Sequence, residues 1–266
     1  MPFAKINDIE MYYETSGIEG FPVILIHGVT ISHILWKFQV PFLQPYFKVI
    51  NLDLRNHGKS SKVETEITME LLADDVKLLL DELGIDEAII IGESMGCFVS
   101  MEFALKYPEI TKALVLTCGA NADNTHFAAK AVLNGWISDF QEDPEIFIKR
   151  DVPHIACRKC RNLESAKDLF DEYYKLLRSY PKNPMINVFE GIKKFNVKDR
   201  LKEINCPTLI IHGKRDSLIG LPFANEVHQL IKNSLLEVIN ACHFALVHDP
   251  ERFNEILLEF LKKNSK

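Results

Sequence analysis

The chain has 266 residues, of which 47% are hydrophobic and 26% are charged, close to the averages of globular proteins. A chain of this length can bury a large core and form one α/β domain with an insertion. The formal net charge of −6 and the isoelectric point near 5.9 argue against nucleic acid as an obligate partner, because phosphate binding needs a basic face.

The first residues, MPFAKINDIEMYYE, contain no basic segment followed by an apolar one, and no apolar run approaches the length needed to span a bilayer. The sequence therefore predicts neither a secretory signal nor a membrane partner, and we expect a cytoplasmic protein. The oligomeric state is not indicated, so a monomer and a homo-oligomer both remain open.

Aliphatic runs alternate with helix-like segments over the first 119 residues and again after residue 195. Runs such as PVILI and AIII have the continuous apolar character of strands that are buried on both faces of a parallel sheet. This alternation predicts an α/β fold with a doubly wound, mostly parallel sheet. The predicted strands are residues 11–15, 22–27, 47–52, 88–91, 113–117, 208–211 and 235–239. The predicted helices are residues 68–83, 94–107, 127–140 and 166–179.

Residues 120–195 break the alternation, because they contain helix-like stretches and no aliphatic strand. Their aromatic side chains need a surface against which to be buried, which argues against a disordered insertion. We therefore predict a helical cap, or lid, at 120–195 on an α/β core made of 1–119 and 196–266. Trp136 and Phe140 are candidate substrate-binding residues of this cap.

Polar residues that could carry chemistry follow three of the predicted strands. In a doubly wound sheet, ligands bind beyond the carboxyl ends of the strands. Ser94, Asp216 and His243 each come shortly after a predicted strand. A serine, an acid and a histidine thus reach one edge of the sheet, and this combination supports nucleophilic catalysis.

Ser94 stands in GESMG, the pattern G-x-S-x-G, between a predicted strand and a predicted helix. A sharp turn at the serine leaves room only for very small residues two positions away, which explains Gly92 and Gly96. The same turn pushes the hydroxyl out over the sheet edge and directs the backbone N–H of Met95 toward the same space. A serine with only a turn role is the alternative, and the acid and histidine downstream favour a nucleophile.

The chain resembles the α/β-hydrolase family over nearly its whole length. The similar segments are PVILIHGVTISHILW, VINLDLRNHGKSS, IIIGESMGCFVSMEFALKYP, PTLIIHGKRDSLI and CHFALVHDPERFNEILLEFL. The resemblance implies that Ser94 is the nucleophile, His243 the general base and Asp216 the acid that orients it. The dipeptide HG at position 27 resembles the family's oxyanion turn, which implies an oxyanion hole made by the N–H groups of Val29 and Met95.

A serine at the nucleophile position suits acyl chemistry, whereas family members that act on epoxides or carbon–halogen bonds use an aspartate. The resemblance implies a cofactor-free serine hydrolase that cleaves a small to medium carboxylic ester. The alternatives are an enol-lactonase, a C–C bond hydrolase of aromatic breakdown, a perhydrolase and a non-catalytic small-molecule receptor. A lactonase or C–C hydrolase would need a cation for a substrate carboxylate, and the run CRKCR at 157–161 offers candidates.

The six cysteines indicate reduced thiols rather than a disulfide framework in a chain of this size. His154, Cys157 and Cys160 recur at intervals of three, which places them along one side of a helix. A metal or redox role is the less favoured interpretation, because no second C-x-x-C and no fourth ligand follow at a zinc-finger distance. We expect free thiols and no metal, and we assign His248 a surface or supporting role.

Overall fold

The computed structural model of the protein describes residues 2–17 and 19–265. Eight strands form one sheet in the order β1-β2-β4-β3-β5-β6-β7-β8. Strand β2 runs antiparallel to both of its neighbours, and all pairs from β4 to β8 are parallel. The strands are β1 (Phe3–Ile6), β2 (Ile9–Ser16), β3 (Pro22–Ile26), β4 (Lys48–Leu52), β5 (Ala88–Glu93), β6 (Thr111–Thr117), β7 (Thr208–Gly213) and β8 (Ser234–Ile239).

Twelve α-helices lie in the described part of the chain, and none of them is long and apolar enough to cross a membrane. They are α1 (Val40–Leu43), α2 (Met69–Glu82), α3 (Met95–Lys106), α4 (Phe127–Glu142), α5 (Pro144–Arg150), α6 (Val152–Ile155), α7 (Arg158–Arg161), α8 (Lys167–Ser179), α9 (Lys182–Lys194), α10 (Leu221–Leu230), α11 (Ala245–His248) and α12 (Pro250–Asn264). Short 3-10 helices cover His33–Trp36, Glu164–Ala166 and Lys198–Glu203.

The mostly parallel sheet and all seven predicted strands are confirmed, and strand β1 was missed. The tetrapeptide FAKI of β1 alternates exposed and buried residues, with Ala4 and Ile6 facing the core. Such a short alternation is too weak to stand out in a sequence. It forms a strand because it pairs with β2 at the edge of the sheet.

Residues between β6 and β7 form helices α4 to α9, as the aromatic content of this segment indicates. Trp136, Phe140, Phe147 and Phe189 pack together, with ring centroids 5.1 to 5.7 Å apart for the edge-on pairs. Such edge-to-face arrangements are the ones that aromatic rings prefer. This buried cluster gives the segment an apolar centre of its own, and its division from the core as a cap at 120–195 stays a prediction.

The loop after β4 is held to helix α2 by a buried ion pair. Arg55 donates from Nε and Nη2 to the two carboxylate oxygens of Asp75 on α2, at 2.7 and 2.9 Å, and from Nη1 to Asp8 at 2.8 Å. Its side chain is 2% exposed and that of Asp75 is fully buried. Removing one partner of such a pair leaves the other charge buried without compensation and costs about 3–5 kcal/mol, so the pair fixes the loop after β4 against α2.

Candidate active site

Ser94 occupies a strained turn between β5 and α3. Its φ of 51° and ψ of −117° lie outside the regions that L-residues normally adopt. A Cβ atom at Gly92 would overlap the carbonyl of Gly96, and a Cβ at Gly96 would overlap the carbonyl of Ile26 in β3. The two glycines of GESMG therefore permit strand, turn and helix to approach closely enough for the serine to project.

The structure brings Ser94, His243 and Asp216 together in one hydrogen-bonded row. Nε2 of His243 lies 2.9 Å from Oγ of Ser94, and Nδ1 of His243 lies 2.8 Å from Oδ2 of Asp216. The other oxygen of Asp216 accepts the N–H groups of Leu218 and Ile219 at 2.9 and 3.0 Å. The carboxylate is thus fixed by its own loop and leaves one oxygen for the imidazole.

The electrostatics of this row favour an ionised acid beside the imidazole. Burial opposes ionisation of Asp216, but the charge and hydrogen bond of His243 outweigh it and lower the pKa of the carboxyl. Burial also opposes protonation of His243, and Asp216 outweighs it in turn and raises the pKa of the imidazole. Asp216 can therefore stabilise the imidazolium that forms when His243 accepts a proton.

The two residues predicted to form the oxyanion hole are Val29, which follows β3, and Met95, the first residue of α3. Both residues line the cavity that contains the serine. Within residues 2–17 and 19–265, neither N–H has a hydrogen-bond acceptor. The Val29 turn is held by His27, whose Nδ1–H donates to the Gly28 carbonyl at 2.7 Å while Nε2 accepts the Leu54 N–H at 3.0 Å.

The cavity beside Ser94 has a volume of about 160 Å³ and is mostly apolar. Leu133 and Trp136 of α4 and Ile192 of α9 line it from the helical segment. Trp136, a predicted substrate-binding residue, is therefore at the cavity. Phe140 does not line this cavity and is fully buried in the aromatic cluster, so its role in substrate binding stays a prediction. The sequence shows that Phe140 is apolar but not which face of α4 meets the cavity.

Three side chains that line the cavity carry N–H groups without an acceptor among the described residues. They are Nδ2 of Asn124, Nε2 of His126 and Nε1 of Trp136. Nδ1 of His126 accepts the N–H of Ala129 at 3.3 Å, which places the ring proton of the neutral imidazole on Nε2. No lysine or arginine of the described chain lines this cavity.

Glu93 is a buried acid that the sequence interpretation did not single out, although it stands in the GESMG motif. Neither carboxyl oxygen has a hydrogen-bond partner among the described residues, and Oε1 lies 3.8 Å from Nε2 of His243. Burial, with a smaller contribution from the charge of Asp216, raises the pKa of Glu93 to about 8. The group is therefore protonated near pH 7, which the sequence cannot indicate without the depth of burial.

A cluster of three thiols and one imidazole lies next to His243, because its member Cys242 directly precedes that residue. The Sγ atoms of Cys157, Cys160 and Cys242 and a ring nitrogen of His248 all lie within 4.8 Å of one another. No further ligand follows the C-x-x-C pair at a zinc-finger distance, but the fold brings Cys242 and His248 to it from 82 and 91 positions away. His248 is buried rather than at the surface, and His154 is exposed and outside the cluster.

The family model described as "alpha/beta hydrolase fold" matches residues 22–250, and the chain belongs to this family of hydrolases. A solved thermophilic esterase from Thermogutta terrifontis is 27% identical, with a TM-score of 0.89 and 99% of each chain covered. The 3-oxoadipate enol-lactonase 1 of Acinetobacter baylyi is 27% identical over 94% of this chain and 92% of its own. The enol-lactonase structure from Burkholderia xenovorans LB400, 20% identical with 98% and 100% coverage, shares the fold at a TM-score of 0.90.

Proposed function

We propose that the protein is a serine hydrolase that cleaves a small carboxylic ester through an acyl-enzyme intermediate. The observation that carries this proposal is the hydrogen-bonded row from Ser94 through His243 to Asp216, opening into an apolar cavity. This is the geometry that activates a serine hydroxyl for attack on an acyl carbon. The similarity to the Thermogutta terrifontis esterase supports the same reaction class.

In the first half-reaction, Oγ of Ser94 attacks the ester carbonyl carbon while Nε2 of His243 accepts the hydroxyl proton. The carbonyl π electrons move to the oxygen and give a tetrahedral oxyanion. When this intermediate collapses, the bond to the alkoxy group breaks, and His243 gives its proton to the leaving alcohol. Water then attacks the acyl-enzyme with the same imidazole as base, which releases the acid and restores Ser94.

The N–H groups of Val29 and Met95 act as the oxyanion hole in this proposal. Their free hydrogen-bonding capacity supports the role, because a donor already paired with another carbonyl would have to break that bond first. The N-terminus of α3 adds the positive end of the helix dipole to the Met95 donor. The loss of one such donor typically raises the barrier by about 3–4 kcal/mol.

The substrate that fits the cavity best is a neutral ester with a short apolar acyl group. A buried carboxylate without a cation is strongly disfavoured, and no lysine or arginine among residues 2–17 and 19–265 lines the cavity. Arg158 and Lys159 of the CRKCR run are exposed on α7 instead. This disfavours enol-lactones and C–C hydrolase substrates that carry a carboxylate. The free N–H groups of Asn124, His126 and Trp136 favour an oxygen acceptor in the substrate.

A panel of p-nitrophenyl esters of increasing acyl length, together with neutral lactones, tests this proposal. We expect turnover of short acyl esters, a decline with longer chains, and a loss of at least about 10⁴-fold in kcat for Ser94→Ala. Ser179→Ala, at an exposed position of α8, is the matched control and should keep the wild-type kcat. Wild-type turnover by Ser94→Ala would exclude the serine mechanism, and inactivity of the wild type on every ester and lactone would favour a receptor.

A further inference from the structure

Three thiols and one imidazole converge on a common point next to the loop of His243. Sγ of Cys157 lies 3.6 Å from Sγ of Cys160 and 3.3 Å from Nδ1 of His248. Sγ of Cys242 lies 3.4 Å from Sγ of Cys160 and also 3.4 Å from Nδ1 of His248. Cys160, Cys242 and His248 are at most 5% exposed, and Cys157 is half-buried.

These four distances match four of the six edges of a tetrahedral zinc site, and the other two pairs lie within 4.8 Å. Zinc–sulfur bonds of about 2.3 Å and zinc–nitrogen bonds of about 2.0–2.1 Å imply edges of about 3.8 Å between sulfurs and about 3.6 Å between sulfur and nitrogen. The observed edges of 3.3 to 3.6 Å are within a few tenths of an ångström of these values. Cysteines buried only as small apolar residues would not need to direct three sulfurs and a ring nitrogen at one centre.

We propose that Cys157, Cys160, Cys242 and His248 bind one zinc ion in a structural Cys₃His site. Thiolate and imidazole donors suit zinc and exclude magnesium and calcium, which need oxygen ligands. Four protein ligands leave no open position for water or substrate, so the site is structural rather than catalytic. Each thiol loses its proton on binding, so uptake of the ion by three thiols and a neutral imidazole releases three protons.

The zinc ion fastens the helical segment to the loop that carries the general-base candidate. Cys157 and Cys160 lie at helix α7, between β6 and β7, whereas Cys242 directly precedes His243 and His248 ends α11. Among the strand pairs of the described chain, none joins these two regions. The ion therefore supplies a cross-link that restricts the loop after β8 and the placement of the α7 segment beside it.

One contact must change when the ion binds. Nη2 of Arg215 lies 3.2 Å from Nε2 of His248, an arrangement that requires an unprotonated Nε2. When Nδ1 of a neutral imidazole ligates zinc, the proton is on Nε2. Arg215 is exposed and also donates to the Asn240 carbonyl at 2.9 Å, so it can leave His248 and keep that second bond. Its charge remains near a site whose three thiolates and one Zn²⁺ give a net charge of −1.

The test measures metal content in the full-length protein, purified under reducing conditions with zinc in the growth medium and without a metal-binding tag. We expect about one zinc per chain after desalting, and a thiolate-to-cobalt charge-transfer band after exchange with Co²⁺. Cys160→Ser should lower the bound zinc at least about tenfold, whereas Cys206→Ser, a half-buried cysteine outside the cluster, should not. His248→Asn and the exposed His154→Asn form a second matched pair.

A chelator should lower the melting temperature of the wild type and of Cys206→Ser. The proposal is overturned if the reduced wild-type protein binds no zinc and gives no cobalt charge-transfer band, a result that does not depend on any variant folding. It is equally overturned if Cys160→Ser and His248→Asn keep full zinc content, because the ion would then lie elsewhere. A disulfide between two of these cysteines in protein purified without reductant, together with no zinc in the reduced protein, would point to a redox pair instead.

Discussion

Nε2 of His243 lies 2.9 Å from Oγ of Ser94, although 149 positions separate the two residues in the chain. Ser94 follows β5 and His243 follows β8, and β6 and β7 lie between these strands in the sheet. Since neighbouring strands are about 4.8 Å apart, the loop after β8 reaches back across about 14 Å of sheet. Asp216, which follows β7, lies along that path and holds the imidazole at 2.8 Å.

This arrangement predicts that Asp216→Asn lowers kcat by about 10⁴-fold, because an amide no longer holds the Nδ1–H tautomer of His243. Steady-state kinetics on the best ester of the panel would measure the effect. Asp199→Asn changes the exposed acid that precedes β7 and should leave kcat unaltered. Equal activity of both variants would remove Asp216 from the mechanism.

The close packing of the turn at Ser94 predicts that one added methyl group at Gly92 destabilises the protein strongly. Gly92→Ala should destabilise the protein by about 3 kcal/mol or more, because its Cβ would overlap the Gly96 carbonyl, which is backbone and cannot move aside. Gly220→Ala is the control, since the nearest atom to its Cβ is 3.5 Å away, on the Pro222 ring. Urea unfolding would compare the stabilities of the two variants. A similar midpoint for both would mean that the turn at Ser94 has room for a Cβ atom at position 92.

Glu93 makes stability depend on pH in a defined direction. Its pKa is about 8 in the folded protein and 4.5 ordinarily, so between pH 5 and 8 the unfolded chain has lost a proton that the folded chain keeps. The contribution of Glu93 to the free energy of unfolding is therefore largest below pH 4.5. It falls by about 1.4 kcal/mol per pH unit between pH 4.5 and 8. Glu93→Gln should show a shallower decline than the wild type and should gain relative stability as the pH rises.

Glu237→Gln, at an exposed position of β8, serves as the control for this comparison. Chemical unfolding at pH 5, 6, 7 and 8 would measure all three proteins. Parallel stability curves for the wild type and Glu93→Gln would show that Glu93 is ionised in the folded protein.

The absence of lysine and arginine from the described cavity lining predicts a preference for uncharged substrates. A p-nitrophenyl monoester of a dicarboxylic acid should have a kcat/KM at least about 100-fold below that of the neutral ester of equal length, because its carboxylate loses hydration without gaining a partner. Val132→Lys, at the cavity, should make the difference in kcat/KM between the two esters smaller. Ala131→Lys, at an exposed neighbouring position outside the lining, should leave the difference unchanged. Equal rates on both esters would show that the acyl group does not enter this cavity.

The sheet and the approach of Ser94, Asp216 and His243 could be predicted because they depend on local signals. Buried strands appear as continuous aliphatic runs, and residues after parallel strands meet at one edge of the sheet. The side chains missed or misplaced depend on packing between distant segments. Phe140 and Trp136 are both aromatic residues of α4, and only the packing of α4 against its neighbours decides which one meets the cavity.

The sulfur cluster could not be found from spacing for the same reason. Cys157 and Cys160 form a local pair that is visible in the sequence, but Cys242 and His248 join it only because the loop after β8 packs against α7. Zinc-finger spacing describes sites that are closed within a short chain segment. A site that joins two remote segments has no such spacing.

Peptide mapping by mass spectrometry after treatment with a fluorophosphonate tests the central claim most directly, because this reagent phosphonylates only an activated serine. We expect one phosphonyl group per chain on the peptide that contains Ser94, and none on Ser94→Ala or His243→Ala. An unlabelled wild-type protein, or a label on a serine other than Ser94, would contradict it.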